Sequence, residues 1–196
     1  MIDYKDRELI ITNSSISFVD KTDEFVMMEW ERPLMKRHAE IVCQDGGHIL
    51  EIGFGLGISA GYIQKENIIS HTIIEINDDI YQILLEWSKD KPNVIPIKGD
   101  WFELSNNLDI NKYDGIFYDG YGGVNEMKIK EFAIKHIKNN GIFTYFNLTN
   151  RNFLKFDDLI YETVEVDIDP DCNYCGPNPT SLKEVYCPWV RIEKSI

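Results

Sequence analysis

The stretch His48-Ile49-Leu50-Glu51-Ile52-Gly53-Phe54-Gly55-Leu56-Gly57-Ile58 constrains the fold more than any other part of the chain. It opens as a short apolar run, His48 to Ile52, and passes without a break into three glycines spaced one residue apart. An apolar run bounded in this way reads as a buried parallel strand that turns sharply into a helix. Glycine in the turn permits positive φ and lets a ligand lie against the backbone. The helix that follows, Ile58 to about Lys65, aims its N-terminal amides at whatever occupies the turn. The spacing Gly53-x-Gly55-x-Gly57 is not the dinucleotide pattern G-x-G-x-x-G, because the third glycine comes one residue early. It is not a P-loop either: Glu51 precedes the glycines and no Gly-Lys-Ser/Thr follows.

Downstream, strands and helices alternate. His71-Thr72-Ile73-Ile74-Glu75 is a second β-rich strand ending in an acid, 22 residues after Gly53. An acid so placed can accept hydrogen bonds from ribose hydroxyls. Asn77-Asp78-Asp79 caps a helix from Ile80 to Ser88. Asn93 to Lys98 is the third strand, and Pro96 assigns it to an edge or a bulge. It delivers Gly99-Asp100-Trp101, where an aromatic face and an acceptor suit an adenine ring, although a surface Trp on a loop is the plainer reading. Lys112 to Tyr121 is the fourth strand and brings Asp119 to its C-terminal edge, where open α/β sheets place their chemistry. Gly120, Gly122 and Gly123 follow, so that loop can move or approach a ligand closely. A helix from Glu126 to Lys138 stops at Asn139-Asn140-Gly141, and Ile142 to Asn147 is the fifth strand. Thr163–Asp169 and Glu184–Ile192 read as an antiparallel pair joined by a Gly/Pro/Asn loop. The expected fold is a doubly wound α/β sheet with antiparallel C-terminal strands. No internal repeat or linker interrupts it, and 196 residues fit one domain.

The N-terminal part is less regular. Leu9-Ile10-Ile11 is a short strand candidate and Asn13-Ser14-Ser15 a turn. Met27-Met28-Glu29-Trp30-Glu31-Arg32-Pro33-Leu34-Met35 leads into a helix reaching about Cys43, with Pro33 in its first turn. Trp30 and the methionines suit a packing lid over the sheet. Two acids flanking a Trp are less easily explained, because a carboxylate in apolar surroundings needs a partner.

Composition narrows the function. A net charge of −13 argues against a nucleic-acid partner, which calls for a basic face, and mildly favours cationic ligands. There is no apolar run near 18 residues, so no membrane partner is expected. The charged opening Met1 to Asp6 is not a secretory leader, and the cytoplasm is the expected address. The cysteines at 43, 172, 175 and 187 include one C-x-x-C without a second pair or histidines. No metal is expected, and ordinary core or surface thiols are.

Glu-x-Gly-x-Gly after a strand resembles the opening of a class I S-adenosylmethionine (SAM) methyltransferase. Six blocks extend the likeness: Met28-Glu29-Trp30-Glu31-x-Pro33-x-Met35, Leu50-Glu51-x-Gly53-Phe54-Gly55, Ile74-Glu75-x-Asn77-Asp78, Pro96-x-Lys98-Gly99-x-Trp101, Tyr118-Asp119-x-Tyr121 and Thr144-Tyr145-x-Asn147-Leu148-Thr149. In this order they resemble guanidinoacetate N-methyltransferase, and also the catalytic domain of the fungal-type arginine δ-N-methyltransferases. Asp171-Cys172-Asn173-Tyr174 is similar to a short C-terminal segment of the same family.

The resemblance implies a Rossmann-like class I fold with SAM as cofactor and S-adenosylhomocysteine as product. It divides residues 1–196 into a lid and leading helix (1–45), a SAM-binding core (46–149) and C-terminal strands (150–196). It implies that Gly53, Phe54, Gly55, Leu56, Gly57 and Ile58 hold SAM and that Glu75 holds its ribose. Ile76, Asn77, Gly99, Asp100 and Trp101 would surround the adenine; Met27, Met35 and Asp119 would meet the methionine end. Glu31 and Asp119, beside Trp30, would grip a guanidino group, and Asn147 with the amides of Leu148 and Thr149 would receive the substrate's far end. The chemistry is coherent: a guanidinium matches a carboxylate bidentately, so Glu31 can clamp it while Asp119 accepts its proton.

The chain departs from the family at Arg32, Leu34, Asp100 and the glycines after Asp119, and has fewer residues at both ends. A shortened lid leaves room for a second subunit, so a homodimer is expected beside a small-molecule guanidino substrate. Two other readings stay open: methylation of a non-guanidino amine or a peptidyl arginine, and a SAM-binding protein that lacks catalysis or needs a partner chain.

Overall fold

The structure is a computed structural model and describes residues 4–121, 126–149, 151–175 and 178–194. After a 3-10 turn at Tyr4–Asp6, the strands β1 (Leu9–Ile11), β2 (Ser15–Phe18) and β3 (Lys21–Met28) form a small antiparallel sheet. A second 3-10 turn, Glu29–Glu31, carries the chain into α1 (Arg32–Val42), with Pro33 in the first turn, where its missing N–H costs nothing. The main body follows as β4 (Gly47–Ile52), α2 (Ile58–Ile63), β5 (Ile68–Glu75), α3 (Asp78–Ser88), β6 (Val94–Lys98), α4 (Trp101–Leu104), β7 (Tyr113–Tyr118), α5 (Glu126–His136), β8 (Ile137–Tyr145), β9 (Ile160–Glu165) and β10 (Glu184–Ile192). These strands make one seven-stranded sheet in the order β6-β5-β4-β7-β8-β10-β9. β6 to β8 are mutually parallel, and β10 runs antiparallel to both β8 and β9.

Alternation along the strands builds two apolar layers. Ile49, Ile73, Phe117 and Ile142 face one layer, which also takes Leu34 and Ile41 of α1, Ile63 of α2 and Leu84 of α3. Leu50, Ile74, Ile116 and Phe143 face the other, with Ile129, Phe132 and Ala133 of α5. The sheet is therefore wound on both faces, as its sequence pattern predicts. Pro96 sits in the edge strand β6. Asn77 caps α3, its side chain accepting from Asp79 N–H at 3.0 Å and Ile80 N–H at 3.3 Å.

Three expectations are corrected. The helix stop at Asn139-Asn140-Gly141 lies inside β8: Asn140 takes φ 63°, and the register jumps from Tyr113 opposite Ile137 to Gly115 opposite Ile142. The turn residues serve as an irregularity within a strand. The antiparallel pair begins earlier, at Ile160, and ends at Glu165. Cys172 and Cys175 are joined in a disulfide, while Cys43 and Cys187 are buried thiols. Gly122 and Gly123 after Asp119, and Gly176 and Pro177 of the β9–β10 loop, lie outside the described residues. Among the described residues no helix is long and apolar enough to cross a membrane.

Candidate active site

The strand order reverses between β4 and β7: β5 and β6 lie on one side of β4, and β7 and β8 on the other. Crevices at such a switch point, beyond the carboxyl ends of the strands, are where open α/β sheets bind ligands. The residues just past those ends are laced together. Gly53 N–H donates to Ile74 O, Asp119 N–H to Ile52 O, Gly99 N–H to Glu75 O and Phe146 N–H to Tyr118 O, each at 2.9 Å. Gly53, at φ 89°, must be glycine here, because a Cβ would run into the Asp119 carbonyl oxygen. Beneath the turn, Glu51 is fully buried, accepts the Ser59 hydroxyl and lies 2.9 Å from His71 Nε2. A buried carboxylate needs such partners.

Above these ends lies a cavity of about 770 Å³, walled in part by Met27, Glu31, Gly53, Gly55, Glu75 and Asp119. Glu75 is 2 % exposed, and its two oxygens accept Phe54 N–H at 3.0 Å and Asn77 N–H at 2.7 Å. Burial pushes its carboxyl up, against the pull of those backbone donors. Glu31 is 3 % exposed; its Oε1 accepts Met28 N–H at 2.8 Å and the Tyr174 hydroxyl at 2.5 Å. Burial outweighs both bonds and raises its carboxyl to about 7. Asp119 is held well above the usual carboxylate range, first by burial and then by the neighbouring carboxylates Glu31, Glu51 and Glu75. Acids whose carboxyls are raised by burial and gathered in one cleft mark a candidate functional site.

Of the residues singled out in the sequence, Ile76, Gly99, Asp100 and Trp101 also line the cavity. Asp100 caps α4, its Oδ1 accepting Phe102 N–H at 2.7 Å, and the Trp101 ring packs edge-on against Tyr118 and Phe132. Others stand behind the wall. Met35 and Ile58 are core residues, Phe54 packs on Trp87, and Leu56 N–H donates to the Met27 sulfur at 3.2 Å. Gly57 begins α2 at φ 70°. Asn77 holds the N-terminal turn, its amide donating to Tyr4 O at 3.2 Å. Trp30 is buried with its ring centroid 6.1 Å from that of Tyr174. Asn147, Leu148 and Thr149 do not reach the cavity wall, and the Thr149 amide is engaged by Asn147 Oδ1 at 3.1 Å.

The cavity also has walls that local sequence pattern does not reveal. Tyr4 closes one side, its ring 5.1 Å from that of Tyr121, whose hydroxyl donates to Glu24 at 2.7 Å. Arg7 pairs with Asp20 at 2.7 Å and with Glu24 at 3.0 Å, tying the N-terminal turn to the small sheet. Phe146, Asn173 and Tyr174 complete the wall near Glu31. The Asp171-Cys172-Asn173-Tyr174 segment was the one signal for the last two.

With this arrangement in view, comparison with known proteins is decisive. The sequence profile of guanidinoacetate N-methyltransferase matches residues 12–174. The chain belongs to that family. It is a class I SAM-dependent methyltransferase, and SAM is its cofactor. Protein arginine N-methyltransferase 2 of Saccharomyces cerevisiae is 28% identical over 206 residues, covering 99% of this chain and 48% of the relative. The Kluyveromyces lactis protein of the same name is 30% identical over 163 residues, covering 76% and 40%. The chain thus spans about half the length of these curated relatives or less. Among solved structures, spermidine synthase from Thermotoga maritima aligns with a TM-score of 0.62 at 11% identity, covering 90% of this chain and 64% of that one. M. jannaschii TYW2 in complex with AdoMet aligns at 0.57 and 15% identity, covering 98% and 90%. These two likenesses concern the fold alone. The cavity suits the cofactor: a buried acid stands at the end of β5, and the turn beside it is kept narrow by glycine. A Cβ on Gly55 would strike the Met27 sulfur.

Proposed function

We propose that this methyltransferase acts on a guanidino nitrogen of a small molecule of the guanidinoacetate or arginine kind. The observation that carries the reading is that Glu31 and Asp119 line one cavity with Gly53, Gly55 and Glu75. In this reading Gly53 to Ile58 and Glu75 hold the cofactor. Ile76, Asn77, Gly99, Asp100 and Trp101 lie toward its adenine, and Met27, Met35 and Asp119 toward its methionine end. When bound, SAM supplies an electrophilic methyl group on a positively charged sulfur. The remaining work belongs to the chain: alignment of the acceptor nitrogen and removal of its proton.

Glu31, held through Oε1 by Met28 and Tyr174, orients the planar guanidinium and offsets its charge. A protonated guanidinium is a poor nucleophile until one N–H proton departs. Asp119 takes that proton as the nitrogen attacks, so the product keeps its single positive charge and the carboxylate becomes a carboxylic acid. A carboxyl held above its usual range is the stronger proton acceptor near neutral pH. Trp30 backs this grip. We assign the acceptor's far end to residues 147–149, which requires Asn147 to release the Thr149 amide. Residues 1–196 act in this reading as one catalytic domain, at a cytoplasmic address and as a homodimer.

A second reading, methylation of arginine within a polypeptide, draws support from relatives named protein arginine N-methyltransferase 2. One experiment separates the two. Guanidinoacetate, free arginine, agmatine, an arginine-containing peptide and a non-guanidino amine are each incubated with SAM, and products are read by mass spectrometry. Turnover of the small guanidines supports the first reading and turnover of the peptide alone the second. Methylation of only the non-guanidino amine would sink both.

A further inference from the structure

Residues 169–175 reach from the far end of the chain onto β3 and the turn that carries Glu31. Asp169 shapes the approach, accepting Cys172 N–H through its carbonyl at 3.0 Å and Asp171 N–H through its carboxylate at 2.9 Å. The Asn173 side chain then clips to the middle of β3: it donates to Asp23 O and accepts from Phe25 N–H at 3.5 Å. Tyr174 follows, its hydroxyl 2.5 Å from Glu31 Oε1. On either side stand Cys172, 2 % exposed, and the half-buried Cys175, joined to each other. A bridge across so short a loop removes little entropy from the unfolded chain. What it fixes is local, namely the backbone that presents Asn173 and Tyr174.

We infer that Tyr174 is a positioning residue for Glu31, and that the Cys172–Cys175 disulfide is a redox switch that sets whether Tyr174 is presented. The inference rests on the reading of Glu31 as the guanidinium clamp. With the bond intact, Tyr174 and Met28 both hold Oε1, so the carboxylate has one orientation and its other oxygen is left for the ligand. A dithiol reductant opens the bond. One of its thiolates attacks a cysteine sulfur to give a mixed disulfide, and the second thiolate resolves it. The S–S bond breaks, two electrons and two protons end up in two cysteine thiols, and the reductant leaves as its own disulfide. The loop then loses its covalent constraint, Tyr174 leaves Glu31, and the clamp loses a donor. Cys43 and Cys187 are buried and unbridged, so among the four cysteines the reductant acts on this pair alone.

The full chain is assayed oxidised and after dithiothreitol, with kcat/KM for the best guanidine and Kd for SAM measured in both states. Reduction lowers kcat/KM roughly tenfold, as loss of a hydrogen bond to a charged group would, and leaves SAM affinity unchanged. Tyr174→Phe shows the lowered value and no response to reductant. Cys175→Ser, at the less buried cysteine, behaves as the reduced enzyme. A substrate-free readout accompanies these: in protein labelled at the tyrosine Cζ, the resonance missing from Tyr174→Phe shifts on reduction and in Glu31→Gln. Equal, measurable kcat/KM in the two states, a redox response persisting in Tyr174→Phe, or an unmoved resonance would each overturn the inference. A resonance that moves as expected upholds the switch even where no guanidine is methylated in either state. That last result overturns the clamp reading of Glu31 instead.

Discussion

Replacing Glu31 by Gln should stabilise the protein without substrate, and only above acidic pH. Glu31 is 3 % exposed, and burial lifts its carboxyl from an ordinary 4.5 to about 7. A folded state that raises a carboxyl keeps a proton that the unfolded chain releases, so stability falls as pH rises between those values. Below 4.5 both states hold the proton and nothing is lost; above 7 the whole penalty is present. At 1.36 kcal/mol per pH unit, the rise corresponds to about 3 kcal/mol at pH 8 and about 2 kcal/mol at pH 6. Gln has the same shape without the charge, and its amide oxygen can still accept from Met28 N–H and the Tyr174 hydroxyl.

Glu31→Gln should therefore match the wild type at pH 4 and exceed it by about 3 kcal/mol at pH 8. For a chain of this length that is roughly 6–12 °C in Tm. Urea unfolding at pH 4, 6 and 8, without SAM or substrate, measures the gap. A gain that is the same at every pH would refute the reasoning, as would a loss at pH 8, because either would mean that the Glu31 carboxylate is not destabilised by its burial. The same variant should methylate guanidines poorly, since the charge that destabilises the empty site is the one proposed to hold the substrate.

Asp119→Asn should lower kcat by roughly 10²–10⁴-fold, the usual contribution of a general base, while SAM still binds by calorimetry; near-wild-type turnover would remove Asp119 from the chemistry. For the wild type, kcat/KM toward a guanidine should fall about tenfold per pH unit below about 7 as Glu31 takes up its proton. A flat profile between pH 5.5 and 8 would contradict this. Gly53→Ala forces a Cβ against the Asp119 carbonyl at φ 89°, and strain of that kind costs about 1–3 kcal/mol; urea unfolding should show it, with SAM affinity falling in parallel. Asn77→Ala removes the cap of α3 and should cost about 1 kcal/mol in the same assay.

What could be read in the sequence follows from how far apart the interacting residues lie. β4, β5 and β7 announce themselves because each is a short apolar run ending in Gly or an acid, and Gly53, Glu75 and Asp119 then fall at strand ends by counting. The small N-terminal sheet is harder to see. Lys21-Thr22-Asp23-Glu24 looks like a solvated charge run, and it is a strand only because β2 lies beside it. Asn140 misleads in the opposite direction, since a left-handed residue that usually ends a helix here sits inside β8. The disulfide cannot be counted out from spacing, because Cys-x-x-Cys is equally compatible with two thiols. Tyr4 and Tyr174 reach the cavity wall through tertiary packing, and no local periodicity encodes a contact between residues 31 and 174.

The proposed reaction offers a use for the enclosed acids. Three carboxylates, Glu31, Glu75 and Asp119, line one cavity and are all raised by burial. None of them has an ion-pair partner within 4 Å among the described residues, whereas the buried Glu51 lies 2.9 Å from His71. A stability argument would pair such groups or replace them with apolar residues, because unpaired buried charge is destabilising. In the proposed reaction positively charged ligands would supply the missing partners: the sulfonium of SAM and a guanidinium. The two charges sum to +2 before methyl transfer and to +1 on the organic products after it, with the balance leaving as the proton on Asp119. An acid-lined cavity is thus matched to the charge present before the reaction. In the proposed reaction, release would be favoured once Asp119 is neutralised and the sulfur has lost its charge.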